Sequence, residues 1–338
     1  MLLYRLVLTV HSNALAILFC TITMIGWGSW ANTQKLAGRT KWPFELYYWD
    51  YAIGLLLFSI LFMFTAGSVG STGMPAMENL RLAQSGAIWD AVVSGILFNV
   101  ANILLVVAID AAGMSIAFPV GIGLALIIGT LKSYQEQPKG NAGLLFAGVA
   151  LVLAAMIFSA LAYRKLPRTT GGNWAKGIIF AIVAGCLMGF FYPWLIRSLA
   201  PDFNSGLILP GKLTPYTALF FFSLGVLASN VVVNTIFMKA AGRTYGEYFA
   251  GTLRLHSLGF LGGAIWMLAF GLNVIASGIA GPAISYALGQ GATLVAAIWG
   301  VLIWKEFRSA PKGTMPLVVF MFAGYLAGLL LIGFASVG

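Results

Sequence analysis

Long apolar runs alternate with short polar connections along the whole chain. Ten of these runs are long enough to cross a bilayer, since a transmembrane helix needs about 20 mostly apolar residues. They span residues 14–31, 47–64, 88–109, 116–131, 144–161, 178–195, 216–237, 258–273, 284–304 and 317–334. The pattern predicts an all-α integral membrane protein with ten transmembrane helices.

The second half of this pattern resembles the first. Residues 95–123 align with residues 263–291 without a gap, and eight positions then carry the same residue type. We therefore predict two five-helix repeats, 1–165 and 166–338. The second repeat is inverted, because each repeat has an odd number of spans. Inverted repeats are typical of secondary transporters, which bind substrate near the middle of the membrane between the halves. A receptor, channel or membrane enzyme with accidental internal similarity is the alternative.

The composition is that of a membrane protein, and the distribution of charge argues against a nucleic-acid partner. Hydrophobic residues make up 60% of the chain and charged residues 8%, whereas about a quarter of a soluble domain is charged. The net charge of +10 does not indicate a nucleic-acid partner, because the basic residues are spread over short loops, where Lys and Arg flank membrane spans.

Of the 19 Lys and Arg residues, thirteen lie on the side opposite the termini. The positive-inside rule then places both termini outside the cell.

Polar groups inside a bilayer are costly, so each one is a functional candidate. Asp50 lies near the start of the second run, within the aromatic segment 47–51 (YYWDY). Apolar and aromatic surroundings disfavour the charged form of a carboxylate, which is the property that a proton-coupling group needs. We predict proton-coupling roles for Asp50, Glu247 and His256. The alternatives are a helix cap at the membrane interface for Asp50 and interfacial positions for Glu247 and His256.

Amide and hydroxyl side chains recur at helical spacing in three runs, so that each group lies along one face of its helix. Carboxamides both donate and accept hydrogen bonds, which suits the N–H and C=O edges of a ureide or nucleobase and also suits sugar hydroxyls. Interhelical hydrogen bonding is the alternative role. The predicted substrate-binding groups are Asn99 with Asn102, Asn230 with Asn234, and Tyr286 with Gln290 and Thr293.

Three aromatic side chains are further candidates for substrate contact. Trp27 and Trp30 lie one turn apart in the first run, and an aromatic ring can stack on a planar heterocycle or on the apolar face of a sugar. Tyr192 lies in the sixth run, at the position that corresponds to Ser29, and is predicted to face the same cavity. Simple packing is the alternative for the two tryptophans.

Several of these segments resemble the plant ureide permeases and their bacterial relatives. The resemblance covers most of the chain and is carried by 26–30 (GWGSW), 47–51 (YYWDY), 216–223 (YTALFFFS) with 231–234 (VVVN), and 299–302 (WGVL) with 306–308 (EFR). The wider kinship is with the drug/metabolite transporter superfamily, which includes rhamnose–proton symporters and glucose/ribose uptake proteins. The resemblance implies ten helices in two inverted repeats and proton-coupled uptake of a small, uncharged polar solute. Ureide permeases carry allantoin, related ureides and pyrimidine bases such as uracil.

Together, the residues and the resemblance predict a secondary active transporter in a bacterial inner (plasma) membrane. It would import a small neutral polar solute, a ureide or nucleobase, by alternating access and without a cofactor, driven by the proton gradient. A rhamnose- or glucose-type symporter changes the ligand, and a drug or metabolite exporter reverses the direction. A membrane-embedded enzyme is disfavoured, because the chain has two His and few carboxylates and shows no catalytic pair. The expected partners are the solute and the lipid bilayer.

Overall fold

A computed structural model describes residues 8–69, 73–166, 173–201, 203–205 and 210–337. Within these residues the chain is helical, and one isolated β-bridge joins Leu199 to Leu213. The helices are α1 Asn13–Ser29, α2 Ala31–Gly38, α3 Phe44–Phe64, α4 Ala76–Leu82, α5 Ser85–Ala112, α6 Met114–Ala117, α7 Gly123–Glu136, α8 Ala142–Arg164, α9 Trp174–Ser198, α10 Pro215–Ala240, α11 Tyr245–Phe249, α12 Leu253–Ala280, α13 Pro282–Gly289, α14 Ala292–Ile298 and α15 Met315–Phe334.

Nine helical segments within the described ranges are long and apolar enough to cross a membrane. They correspond to nine of the ten predicted runs. The protein is therefore an all-helical, multi-pass membrane protein. The spans are Asn13–Gly38, Phe44–Phe64, Ser85–Ala112, Ala142–Arg164, Trp174–Ser198, Pro215–Ala240, Leu253–Ala280, Pro282–Ile303 and Met315–Phe334.

The remaining predicted run, 116–131, lies in an interrupted helical segment. A π-helical turn, Phe118–Ile122, separates α6 from α7. Pro119 lies in this turn, and a proline lacks the N–H that a regular α-helix would use there. The count of ten transmembrane helices stays a prediction. So does the repeat boundary at residue 165, which adjoins residues 167–172 outside the described part. Arg5 and Arg168, which enter the positive-inside count, also lie outside it.

The connections that follow α5 and α12 lie at equivalent places in the predicted repeats, and they have the same backbone geometry. Gly113 ends α5 with φ 80° and ψ 159°, and Gly281 ends α12 with φ 92° and ψ 143°. A residue that carries a Cβ atom rarely adopts this backbone conformation. In each case the glycine N–H donates to the carbonyl four residues earlier, at Ile109 and Ser277. Both connections are thus tight helical hairpins.

A glycine from each of two helices lets α5 and α10 cross at short range. A Cβ added at Gly95 would collide with the carbonyl oxygen of Phe222, and one added at Gly225 would collide with the carbonyl oxygen of Val92. Close backbone approach over small residues is how helices pack in lipid, where apolar burial alone does not drive association. The α5–α10 contact therefore depends on both glycines.

A second crossing, between α3 and α12, repeats this arrangement atom for atom. A Cβ at Gly263 would meet the carbonyl oxygen of Tyr51, and a Cβ at Gly54 would meet the carbonyl oxygen of Phe260 at 2.5 Å. The equivalent residues differ in number by 168 between α5 and α12 and by 171 between α3 and α10. The first crossing pairs α5 with α10, and the second pairs their counterparts in the other predicted repeat, α12 and α3.

Candidate functional site

A layer of stacked aromatic rings fills the centre of the helix bundle. Trp27 on α1 stacks on Trp266 of α12, with ring centroids 5.4 Å apart and planes 18° apart. Phe222 of α10 lies nearly parallel to Trp266, with ring centroids 5.9 Å apart, and Phe98 of α5 is tilted by 40° with its centroid 4.4 Å from that of Trp266. The indole Nε1 of Trp27 is buried and has no hydrogen-bond partner among the described residues. This layer brings together helices from both predicted repeats, as a shared substrate site requires.

The two predicted tryptophans have separate neighbours. Trp27 belongs to the aromatic layer, whereas Trp30 lies at the junction of α1 and α2, 4.9 Å from the ring of Tyr51. The prediction missed Trp266, because an aromatic residue in an apolar run resembles ordinary packing. Its position was nevertheless a usable signal: tryptophan is enriched at the membrane interfaces, and Trp266 lies in the middle of α12.

Four predicted amides lie where α3, α5 and α10 meet. Asn99, which directly follows a ring of the aromatic layer, donates to Ser229 Oγ at 3.0 Å. Asn102 donates to the hydroxyl of Tyr48 at 3.1 Å, and Asn234 donates to the backbone carbonyl of Glu45 at 3.0 Å. These are interhelical hydrogen bonds, the alternative role for these amides. They use only part of the hydrogen-bonding capacity of each amide.

Several polar atoms in this amide layer are buried without a partner among the described residues. They are Oδ1 of Asn99, Oδ1 of Asn234, and both Nδ2 and Oδ1 of Asn230, whose side chain is fully buried. The great majority of buried polar atoms in proteins have a hydrogen-bond partner. The amide layer therefore presents acceptors and a donor that no described residue satisfies, which is the chemistry needed to hold a small polar molecule.

Tyr192 and Tyr286 pack against each other, with ring centroids 4.9 Å apart. The Tyr192 hydroxyl donates to Oδ1 of Asn273 at 2.8 Å, and Asn273 in turn donates to the carbonyl of Ser285 at 2.7 Å. The Tyr286 hydroxyl donates to the carbonyl of Ala125 at 3.1 Å. Both phenols thus donate hydrogen bonds to neighbouring helices around the aromatic layer.

The predicted stripe of Tyr286, Gln290 and Thr293 was wrong in its geometry. That stripe needs one continuous helix, but α13 ends at Gly289 and α14 begins at Ala292. Two glycines flank Gln290, and glycine weakens a helix interior. Tyr286 therefore lies on α13, Gln290 in the break and Thr293 on α14. The Thr293 hydroxyl donates to the Gln290 carbonyl at 2.9 Å.

Two of the three proton-coupling candidates lie in contact. The carboxylate of Asp50 is fully buried, and its Oδ2 lies 2.9 Å from Nδ1 of His256 at the start of α12. Its Oδ1 accepts a hydrogen bond from the hydroxyl of Tyr248, on α11, at 2.7 Å. Trp42 packs edge-on against the imidazole, with centroids 5.6 Å apart. The titratable groups around Asp50 are His256, Tyr248 and, on its own helix, Tyr47.

Glu247, the third candidate, lies on α11 but does not face this pair. Its Oε2 accepts from the backbone N–H of Thr244 at 2.9 Å, and its own N–H donates to the Thr244 hydroxyl. This reciprocal arrangement is a capping box, which stabilises the first turn of a helix. Oε1 lies 3.6 Å from Arg243, and the side chain is 44% exposed. In the structure, Glu247 therefore stabilises the short helix that carries Tyr248.

Tyr248 is a contact that sequence reasoning missed. Burial, followed by the hydrogen bond to Asp50 and the charge of that carboxylate, raises the pKa of the Tyr248 phenol above its ordinary value. The phenol therefore stays protonated near neutral pH and remains a hydrogen-bond donor. Its sequence signal was weak, because Tyr248 lies in a short polar connection that is 198 residues from Asp50.

Comparisons with known proteins agree on one family. The ureide permease family model matches residues 47–166 and 163–335. Ureide permease 2 of Arabidopsis thaliana is 25% identical over 95% of this chain and 98% of its own length. Ureide permease 1 of the same plant is 21% identical over 92% of this chain and 94% of its own.

One solved crystal structure of another protein shares the fold. It is 17% identical, has a TM-score of 0.60, and covers 95% of this chain and 98% of that one. At this identity the likeness concerns the fold alone. The family assignment rests instead on the family model, which spans most of the chain. The protein thus belongs to the ureide permease family.

Proposed function

We propose that this protein is a secondary active transporter of a ureide or a related nucleobase. Family membership supports a transporter of ureide-type solutes. The observation that carries the proposal is the group of buried amide atoms that have no partner among the described residues, on Asn99, Asn230 and Asn234. A ureide is small and presents alternating N–H and C=O groups. Its polar edge matches free carboxamide atoms, and the ring of Trp27 provides a stacking surface.

The proposed drive is the proton gradient, and the proposed proton site is the pair of Asp50 and His256. A carboxylate and an imidazole 2.9 Å apart can share or pass a proton. The His256 side chain is 19% exposed, whereas that of Asp50 is fully buried. A proton from Asp50 would bind Nδ1 of His256 while the ring gives its Nε2 proton to water. Asp50 is then ionised and His256 donates to it through Nδ1–H.

Alternating access between inverted repeats is the proposed transport mechanism. Three features support it. The glycine crossings exchange corresponding helices of the two halves, the hairpins at Gly113 and Gly281 match, and irregular backbone interrupts the helices at Phe118–Ile122 and around Gln290. Broken helices near the midplane are typical of transporters of this kind. We also propose a bacterial inner membrane as the location, with the termini outside as the positive-inside count predicts.

The experiment that tests the substrate is thermal stabilisation of the purified protein in detergent. A ligand that binds only the folded state stabilises it by about 2.7 kcal/mol at a hundred times its Kd. We expect allantoin or uracil to raise the melting temperature and expect rhamnose and glucose to leave it unchanged. A shift with a sugar alone would overturn the ureide proposal and keep the transporter fold.

Replacing Asn230 by leucine is expected to weaken ureide binding and to stabilise the protein. The variant removes the two amide atoms that have no protein partner, and an unsatisfied buried polar group costs about 1–3 kcal/mol. We expect affinity to fall by roughly tenfold to a hundredfold, as measured by calorimetry, and the ligand-free melting temperature to rise.

The matched control for this prediction is Asn273→Leu. Asn273 accepts from Tyr192 and donates to Ser285, so its loss leaves both partners unsatisfied and should lower the melting temperature. If Asn230→Leu instead lowers the melting temperature and keeps full affinity, Asn230 serves packing and not the ligand.

A further inference from the structure

Residues 241–252 cross over the Asp50–His256 pair as a continuous strap between α10 and α12. The strap begins at a turn in which Gly242 has φ +72°, and it contains α11. Most of its side chains point away from the bundle: the exposed fraction is 78% for Phe249 and 44% for Glu247. Tyr248 points inward, toward the carboxylate of Asp50.

The strap covers both members of the proton pair. The ring of Tyr248 packs edge-on against His256 at 4.9 Å while its hydroxyl holds Asp50. A Cβ added at Gly251 would lie 2.6 Å from Nε2 of His256. The strap backbone therefore passes directly over the ring nitrogen that would exchange its proton with water.

We propose that this strap is a lid over the proton site and that Tyr248 is the positioning residue that holds it closed. The inference rests on the proposed proton-coupled function. A hydrogen bond from a phenol is stronger to a carboxylate than to a neutral acid. The lid is therefore held when Asp50 is ionised, after the proton has left, and is released when Asp50 is protonated. The capping box of Thr244 and Glu247 keeps α11 folded so that Tyr248 stays in place.

The first test is the pH profile of uptake into proteoliposomes. Tyr248→Phe removes one charge-assisted donor to ionised Asp50, so the midpoint of the profile should move to higher pH by about one unit. Glu247→Gln, which leaves Tyr248 intact but weakens the helix cap, should move the midpoint in the same direction by less. The matched control is Tyr245→Phe on the same helix. The Tyr245 hydroxyl contacts Thr235, not Asp50.

The second test measures lid opening without transport. The chain has two histidines, so His11→Gln leaves His256 as the one histidine that diethyl pyrocarbonate can modify, and mass spectrometry measures the labelling of that residue. Tyr248→Phe in this background should label about tenfold faster, the factor expected for loss of one charge-assisted hydrogen bond, whereas Tyr245→Phe should label at the parent rate.

The two tests separate failure of the lid from failure of the proposed function. Equal labelling rates in Tyr248→Phe and Tyr245→Phe would overturn the lid, whatever the uptake data show. If uptake by the unaltered protein does not depend on pH or on a proton gradient, the proposed function fails, and the labelling rates alone then decide the lid. Melting temperatures of all variants within a few degrees of the parent confirm that each variant is folded.

Discussion

Asp50→Asn is expected to abolish concentrative uptake while retaining exchange of substrate across the membrane. Asparagine has nearly the shape of aspartate and still accepts from Tyr248 through Oδ1, but it cannot bind and release a proton. Substrate binding and the alternation of the two halves then continue without a drive. In proteoliposomes with an imposed proton gradient, internal substrate should reach the external concentration and rise no further. Counterflow of labelled substrate should persist.

Asp90→Asn provides the matched control for this experiment. Asp90 is also a carboxylate on a membrane helix, but it lies 3.7 Å from Arg197 near the start of α5 and takes no part in the proposed proton site. An ion pair of this kind contributes about 0–1 kcal/mol, so uptake should remain concentrative. Accumulation against a gradient by Asp50→Asn would remove Asp50 from the coupling mechanism.

Valine at either glycine crossing is expected to destabilise the helix bundle strongly. A side chain at Gly95 meets the backbone of α10, and one at Gly263 meets the backbone of α3. Neither backbone can rotate away as a flexible side chain can, so the helices must separate. Overpacking costs about 1–3 kcal/mol and sometimes more. Melting temperature and yield in detergent should fall for both variants, and to a similar degree because the two contacts correspond.

Gly86 supplies the control on the same helix as Gly95. A Cβ at Gly86 meets no heavy atom of the described residues within 4 Å, so Gly86→Val changes the helix propensity of α5 without a collision. We expect its melting temperature to stay near that of the parent. If Gly95→Val is as stable as Gly86→Val, the crossing is not a close contact in solution.

The apolar pattern alone was enough to predict most of the fold. A span must satisfy its own backbone hydrogen bonds in lipid, so length and hydropathy determine where the helices lie. Interruptions inside a span leave hydropathy nearly unchanged, and for this reason the breaks at Phe118–Ile122 and Gln290 were missed. Local signals did exist at both places: Pro119 in the first, and the glycines on either side of Gln290 in the second.

The candidate site could be predicted in part, because a polar residue within an apolar run can be recognised from the sequence alone. Asp50, His256 and Asn230 were predicted in this way, and the structure brings Asp50 and His256 into contact. Their partners depend on which helices meet, and no local pattern reports that Tyr248 reaches Asp50 across 198 positions of the chain. Helical spacing also cannot tell a bonded amide such as Asn102 from an unpartnered one such as Asn230.

The offsets that relate the two glycine crossings also relate the proton pair to two other positions. The offset of 171 between α3 and α10 carries Asp50 to Phe221, and the offset of 168 between α5 and α12 carries His256 back to Ile88. The predicted repeat thus relates an acid and a base to two apolar side chains. The two glycine crossings correspond, but the side chains of the proton pair differ from those at the related positions. The proposed proton site therefore has no counterpart at the two related positions, and we expect the two directions of the proposed transport to differ.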